Sequence, residues 1–296
     1  MKFAELIGLS KKSQQPFHEV ILINQMMEEG LDPLELSQKL KRLVITILDL
    51  CEKNFGKPSK SLTGMVQNAA YTFSNHQPLM MGKFNYIATV AALSMAESNA
   101  SMGKIVACPT AGSCGVLPGV LYALWKVFSA DVDDVTNAFI VAGEVGNRIA
   151  SVASISGAIA GCQAEIGAAA AMASSALTYY FTLDPDKVAH AAALTLKSLM
   201  GLVCDPIGGF VEVPCIKRNA TAVNLAIATA EMAIAGIQSV IPFDEVVEAL
   251  SKVGRSLPEE LRETGLGGIA ATKTAQLLVE KIRGDQGEIF PEYGDN

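Results

Sequence analysis

The sequence predicts an all-α protein, and three observations predict it. Half of the 296 residues are hydrophobic, yet only 6% are aromatic and one is Trp; Ala and 25 Gly fill much of the apolar share. Small residues at that density suit helices packed backbone to backbone rather than a sheet of Val, Ile and Tyr. Helix-start signals precede apolar residues spaced at helical period. No alternating strand pattern with hairpin turns stands out.

In chain order, a first helix is expected over about 15–29. Asp32-Pro33-Leu34-Glu35 then offers an N-cap Asp, Pro at the first helical position and Glu three after the cap. Leu36, Leu40, Leu43, Ile47 and Leu50 follow on one face, leaving Lys39, Lys41 and Arg42 on the wet side. Further helices are expected over about 83–100, 115–129, 132–146 and 165–181. Asp184-Pro185 repeats the start signal before Val188, Ala192 and Leu196. Helices over about 219–239, 243–252 and 269–283 complete the series. Gly209-Phe210-Val211-Glu212-Val213 reads as extended, ended by Pro214.

Charge divides the chain. Residues 1–60 carry 17 charged side chains, 243–296 carry 17, and the 182 residues between them only 19. We expect a charged N-terminal helical lobe over 1–60, closed by the Lys57-Pro58-Ser59-Lys60 break, a helical domain over 61–285 and a loose tail over 286–296. The uncharged stretch 105–125 is long enough for a membrane span. Two prolines and three glycines interrupt it, and no Lys/Arg-rich loop or aromatic belt flanks it. No membrane span is therefore expected, and the N-terminus shows no long apolar signal segment; a cytoplasmic protein follows. The net charge of −7 without a basic stripe argues against nucleic acid as a partner.

Six cysteines stand at 51, 108, 114, 162, 204 and 215, none in a C-x-x-C pair. Zinc-ribbon and thioredoxin chemistry are excluded by that spacing. Cys51, on an amphipathic helix, reads as a small buried hydrophobe. The other five lie in three unusual turns. Cys108-Pro109-Thr110-Ala111-Gly112-Ser113-Cys114-Gly115 precedes a helix and offers amides and hydroxyls suited to a small anion such as a carboxylate, or simply a tight turn. Ser154-Ile155-Ser156-Gly157-Ala158, then Gly161-Cys162-Gln163-Ala164-Glu165, permits close packing, which does not account for Cys, Gln and Glu together. In the third turn, Cys204 and Cys215 bracket a loop with Pro at each end. Three thiolates from separate loops can hold a cubane iron–sulfur cluster with one iron open, or can be inert core residues; spacing alone leaves both open.

The strings CPTAGSCGVLPGVL, SISGAIAGCQAEIG, CDPIGGFVEVPCIKRNA and RETGLGGIAATK, in that order over about 60–285, resemble the α chain of bacterial iron–sulfur-dependent L-serine dehydratase (L-serine ammonia-lyase). The resemblance implies a [4Fe–4S] cluster on Cys162, Cys204 and Cys215, without pyridoxal phosphate. Lys104, Lys197 and Lys273 read as structural residues rather than PLP sites. Relatives carrying Ala at the Cys108 position argue against Cys108 as a ligand; Cys108 and Cys114 belong to the loop motif. Single-chain members carry an extra N-terminal domain, which two-chain members hold as a β subunit. The resemblance thus implies a β partner in a heterodimer, and a tail without Cys does not occupy the cluster itself.

The implied reaction is β-elimination of L-serine to pyruvate and ammonia, a step of amino-acid degradation that feeds gluconeogenesis. An open iron acts as Lewis acid on the hydroxyl. Thr110, Gly112 and Ser113, with Arg218 or Lys217, are the candidate carboxylate-binding residues. Among the three histidines, His18 reads as solvated and His190 as packed. His76, on a polar turn, is the local candidate base; a residue of the β partner is the alternative. Competing readings are a cluster-dependent L-cysteine desulfidase, a non-catalytic subunit supporting a transporter, and a helical scaffold with free cysteines.

Overall fold

A computed structural model describes residues 1–285. Thirteen α-helices dominate these residues, and no strand beyond two isolated bridges occurs among them, so the fold is all-α. The expected tail over 286–296 lies outside the described residues. No described helix is long and apolar enough to cross a membrane.

The N-terminal helices are α1 (Phe3–Ser13), α2 (Phe17–Glu29) and α3 (Pro33–Asn54). The predicted cap of α3 forms: the Asp32 carboxylate accepts from the Glu35 amide at 2.8 Å. Helix α1 was not expected from sequence, because its cap comes from far along the chain. The amides of Phe3 and Ala4 donate to the Asp244 carboxylate at 3.2 and 3.1 Å. Phe3 also packs edge-on against Phe17 and Phe243. The short helix α4 (Ala69–Ser74) was missed for the same reason: buried Glu97 accepts from the amides of Ala69 and Ala70.

The charge-poor middle of the sequence forms the centre of the molecule. It comprises α5 (Lys83–Ala100), α6 (Val116–Phe128), α7 (Val132–Ala153), α8 (Gly157–Ala160) and α9 (Ala168–Thr182). Every residue of α9 from Ala168 to Tyr179 is buried. A helix apolar all round needs neighbours all round, and α9 has them in α6, α7, α10 (Pro185–Leu199) and α11 (Cys215–Ile234). Small residues let these axes approach: a Cβ on Gly119 would stand 2.7 Å from the Ala88 carbonyl oxygen, so α5 and α6 pack in backbone contact. The predicted cap of α10 also forms, Asp184 accepting from the Asp186 amide at 2.9 Å.

Helix α11 begins at Cys215, four residues before the expected start. The segment expected to be extended, 209–213, is instead a 3₁₀ turn at Ile207–Gly209 followed by further turns. Gly208 and Gly209 take φ of 63° and 77°, which breaks an extended path. Glu212 is buried; it accepts from the Thr63 amide at 2.9 Å and from the hydroxyls of Ser61 and Thr63. Helices α12 (Phe243–Ser256) and α13 (Lys273–Asp285) close the described chain.

Candidate active site

The loops that carry the motifs meet beside the N-terminal end of α9. A π-helical turn, Gln163–Gly167, runs directly into that helix. Such turns inside helices often mark functional sites. Here the turn presents Cys162, at its cap, and Glu165 side by side. Cys204 reaches them from the loop after α10. Donor atoms of Cys162, Glu165 and Cys204 all lie within 4.8 Å of one another. Cys215, at the first position of α11, is buried next to this group but is not part of it.

Each loop is tied to the others by named contacts. The Cys204 amide donates to the Leu261 carbonyl at 2.9 Å, and the Glu263 amide to the Cys204 carbonyl at 2.7 Å. The RETGLGG segment therefore clamps the Cys204 loop. Asp205 accepts from Arg218 and from the Ile269 amide, each at 2.9 Å. Asn219, fully buried, binds the 108–115 loop from both sides: its amide donates to Gly112 O at 2.8 Å, and its oxygen accepts from the Gly115 amide at 2.9 Å. A Cβ on Gly157 would stand 3.0 Å from both Cys204 Sγ and Glu165 Oε2 and 3.1 Å from Glu263 Oε2. Gly157 thus keeps open the space on which a thiol and two carboxylates converge.

The electrostatics single out one thiol. Cys162 is held below the ordinary thiol range, first because the Cys204 thiol donates a hydrogen bond to it; burial opposes this and the Arg218 charge assists. Cys204 moves the other way, as the donor of that bond and through burial. Burial pushes Cys215 up to about 12. Burial likewise raises Glu165, against a hydrogen bond from the Thr110 hydroxyl, while nearby Glu263 adds to the rise. For Arg218, burial works against the charge, and the neighbouring Cys162 and Asp205 outweigh it.

The sequence candidates fall unevenly. Cys162, Cys204, Cys215, Thr110, Gly112 and Arg218 all border the site. Arg218 is engaged: it donates to Val203 O at 3.0 Å and pairs with Asp205. Lys217 points to solvent. Ser113 is completely buried behind Thr110, their hydroxyls 3.0 Å apart. Among the described residues, the amides of Ala111, Gly112 and Ser113 take no partner, whereas those of Cys114, Gly115 and Val116 are bonded. His76 is exposed on the turn before α5, its ring 6.5 Å from that of Phe73. His18 is not solvated as expected; it is half-buried, with Nδ1 2.9 Å from the Tyr179 hydroxyl, and burial lowers its pKa. His190 is packed, accepting from the Ser239 amide. Lys104 and Lys273 are exposed, and Lys197 donates to Ser239 O. Glu165 and Glu263 were missed as site residues. The only signal was that close packing left Glu165 unexplained beside Cys162.

A family model described as serine dehydratase alpha chain matches residues 12–270. The chain belongs to that family. The L-serine dehydratase alpha chain of Peptoniphilus asaccharolyticus is 38% identical over 294 residues, covering 98% of both proteins. The Bacillus subtilis protein named "Probable L-serine dehydratase, alpha chain" is 40% identical over 284 residues, 95% of this chain and 94% of that one. L-serine dehydratase 1 of Escherichia coli is 40% identical over 181 residues, which is 60% of this chain but 40% of that longer protein. In this serine dehydratase α-chain family member, all four sequence motifs converge on one thiol group. The donor set is thiol-rich and buried, and a glycine leaves volume beside it; such a set suits a soft-donor iron–sulfur group.

Proposed function

We propose that this chain is the cluster-bearing subunit of a cytoplasmic L-serine dehydratase that converts L-serine to pyruvate and ammonia without pyridoxal phosphate. One observation carries the reading: the four family motifs, far apart in sequence, are bonded together around Cys162, Cys204 and Cys215. These three cysteines would hold a [4Fe–4S] cluster. When bound, the cluster supplies a Lewis-acidic iron for the substrate hydroxyl.

The chain's own residues do the rest. The free amides of Ala111, Gly112 and Ser113 form an anion-binding concavity for the serine carboxylate, with Thr110 at its edge. Arg218 holds the Cys204 loop through Val203 and Asp205 and offsets thiolate charge at Cys162. Burial of the thiols and of α9 behind them keeps bulk water away. The α-proton needs a base of suitable reach; exposed His76 is one source and a β subunit the other. The alpha-chain names of the relatives favour a second subunit.

The test is anaerobic reconstitution with iron and sulfide, then assay of pyruvate formation from L-serine and from L-cysteine, with and without the β chain. We expect a broad visible absorption, L-serine preference, and a gain of about 10² to 10⁴ in rate when the β chain contributes the base. A colourless protein after reconstitution refutes the cluster. Preference for L-cysteine moves the reading to the desulfidase. Full turnover of L-serine by the chain alone places the base here, on a residue such as His76.

A further inference from the structure

We propose that Val211 sets the size limit of the substrate: its side chain walls the space taken by the substrate β-carbon and rejects 2-amino-3-hydroxy acids with a methyl group there, such as L-threonine. The inference rests on the serine dehydratase reading and assigns it a specificity residue. A Cβ on Gly112 would stand 3.4 Å from Val211 Cγ1 and 3.4 Å from each carboxylate oxygen of Glu165. Val211 and Glu165 thus both come up against the middle of the loop of free amides. Glu165 in turn keeps an oxygen within 4.8 Å of the Cys162 and Cys204 sulfurs. Loop, Val211 and thiol group therefore border one space. Gly112, Val211 and Glu165 are each only partly buried, so that space opens outward.

A serine with its carboxylate on those amides and its hydroxyl toward the thiols has Cα and Cβ between the two, beside Val211. Glu165, Thr110 and the thiols offer charge or hydrogen bonds to a ligand. The isopropyl group of Val211 offers neither, so its effect there is steric.

The wall is held on both sides. Gly112 O accepts from Asn219 Nδ2 at 2.8 Å. On the other side, buried Glu212 accepts from the Thr63 amide at 2.9 Å, and its own amide donates to Phe210 O at 2.7 Å. The Ile207 amide donates to Val213 O at 3.0 Å, closing the turn that carries Val211. A side chain branched at Cβ is itself stiff at χ1. Val211 therefore has little freedom to withdraw and admit a further methyl group.

The test compares L-serine with L-threonine. L-Threonine loses its hydroxyl and α-proton as water, and its enamine hydrolyses to 2-oxobutyrate and ammonia, so the chemistry is that of serine with one methyl group added. The holoenzyme, reconstituted anaerobically with its β chain, is assayed for kcat/KM on both. The parent should favour L-serine at least about tenfold, the lower end of what one carbon too many costs in a fitted pocket. Val211→Ala removes two methyl groups and should raise the L-threonine to L-serine ratio at least about tenfold. Val211→Thr keeps the branched shape and should hold that ratio within about twofold of the parent. Calorimetric titration of the reconstituted full chain gives a readout apart from turnover: L-threonine should bind V211A at least about tenfold more tightly than the parent. Equal use of the two amino acids by the parent, which needs no variant to fold, overturns the proposal. An unchanged ratio in a V211A enzyme that turns over L-serine overturns this inference alone. A parent holoenzyme with no L-serine turnover defeats the dehydratase reading and this inference together.

Discussion

Cys51, Cys108 and Cys114 contrast with Cys162, Cys204 and Cys215. All six thiols are buried. In the first set burial is the dominant influence: it pushes Cys108 and Cys114 up to about 12 and Cys51 higher still. Their sulfurs make only long contacts to carbonyls, Cys51 to Pro118 at 3.8 Å and Cys114 to Met95 at 3.6 Å. In the second set the thiols face one another, Arg218 and two glutamates. There Cys162 is lowered despite being as deeply buried. Cys204 and Cys215 are raised like the first set, so the thiol of Cys162 alone is favoured as thiolate, by a donated thiol hydrogen bond and the Arg218 charge.

Substitution should split the two sets most sharply. Cys→Ser at 162, 204 or 215 is expected to abolish cluster retention and serine turnover together, read by iron content and pyruvate assay. Cys51→Ser should leave both intact and cost about 1–2 kcal/mol of stability by burying a hydroxyl. Full iron content in C204S would erase the distinction. A second, smaller effect is expected of the proposed cluster, which three thiolates would leave with one open iron. Activity should decline in air and return with ferrous iron and a thiol reductant, while the first set of cysteines stays reduced by mass spectrometry. Unchanged activity after days in air would contradict it.

The same contrast extends to carboxylates. Glu144 is buried beside Glu28, and burial raises its pKa to about 7 against hydrogen bonds from Asn147 and Gln25 and the N-terminal charge. The folded state therefore binds more protons than the unfolded state between about pH 4.5 and 7, so stability falls as pH rises through that window. Glu144→Gln should stabilise the protein at pH 8 by up to about 3 kcal/mol and by almost nothing below pH 4.5. Denaturant melts at the two pH values check this, and equal gains at both would break the argument.

What was legible in the sequence was local chemistry. Asp32-Pro33 and Asp184-Pro185 marked helix starts because cap and helix are neighbours in sequence. Helices α1 and α4 were invisible because Asp244 and Glu97 cap them from other helices. Glu212 lay in a segment that read as extended, and its inward role depends on Ser61 and Thr63, some 150 positions away. At the site, Cys162, Cys204 and Cys215 were legible as residues of distinctive loops. Glu263 was not, since only the parallel bridge between Cys204 and Arg262 brings it in. The convergence of Glu165 on Cys204 likewise depends on the π turn, which no periodicity announces.

The clamp on the Cys204 loop carries a consequence for synthesis. The backbone of Cys204 and one carboxylate oxygen of Asp205 gain their partners from Leu261, Glu263 and Ile269. A ribosome makes residue 204 well before residue 269, and the helices that bury α9 on most sides have already emerged by then. The Cys204 loop is thus secured late in synthesis. Nascent chains arrested with residue 256 just outside the exit tunnel should label at Cys204 with iodoacetamide. Chains arrested past residue 270 should resist it, which dates the closing of the Cys204 loop during synthesis.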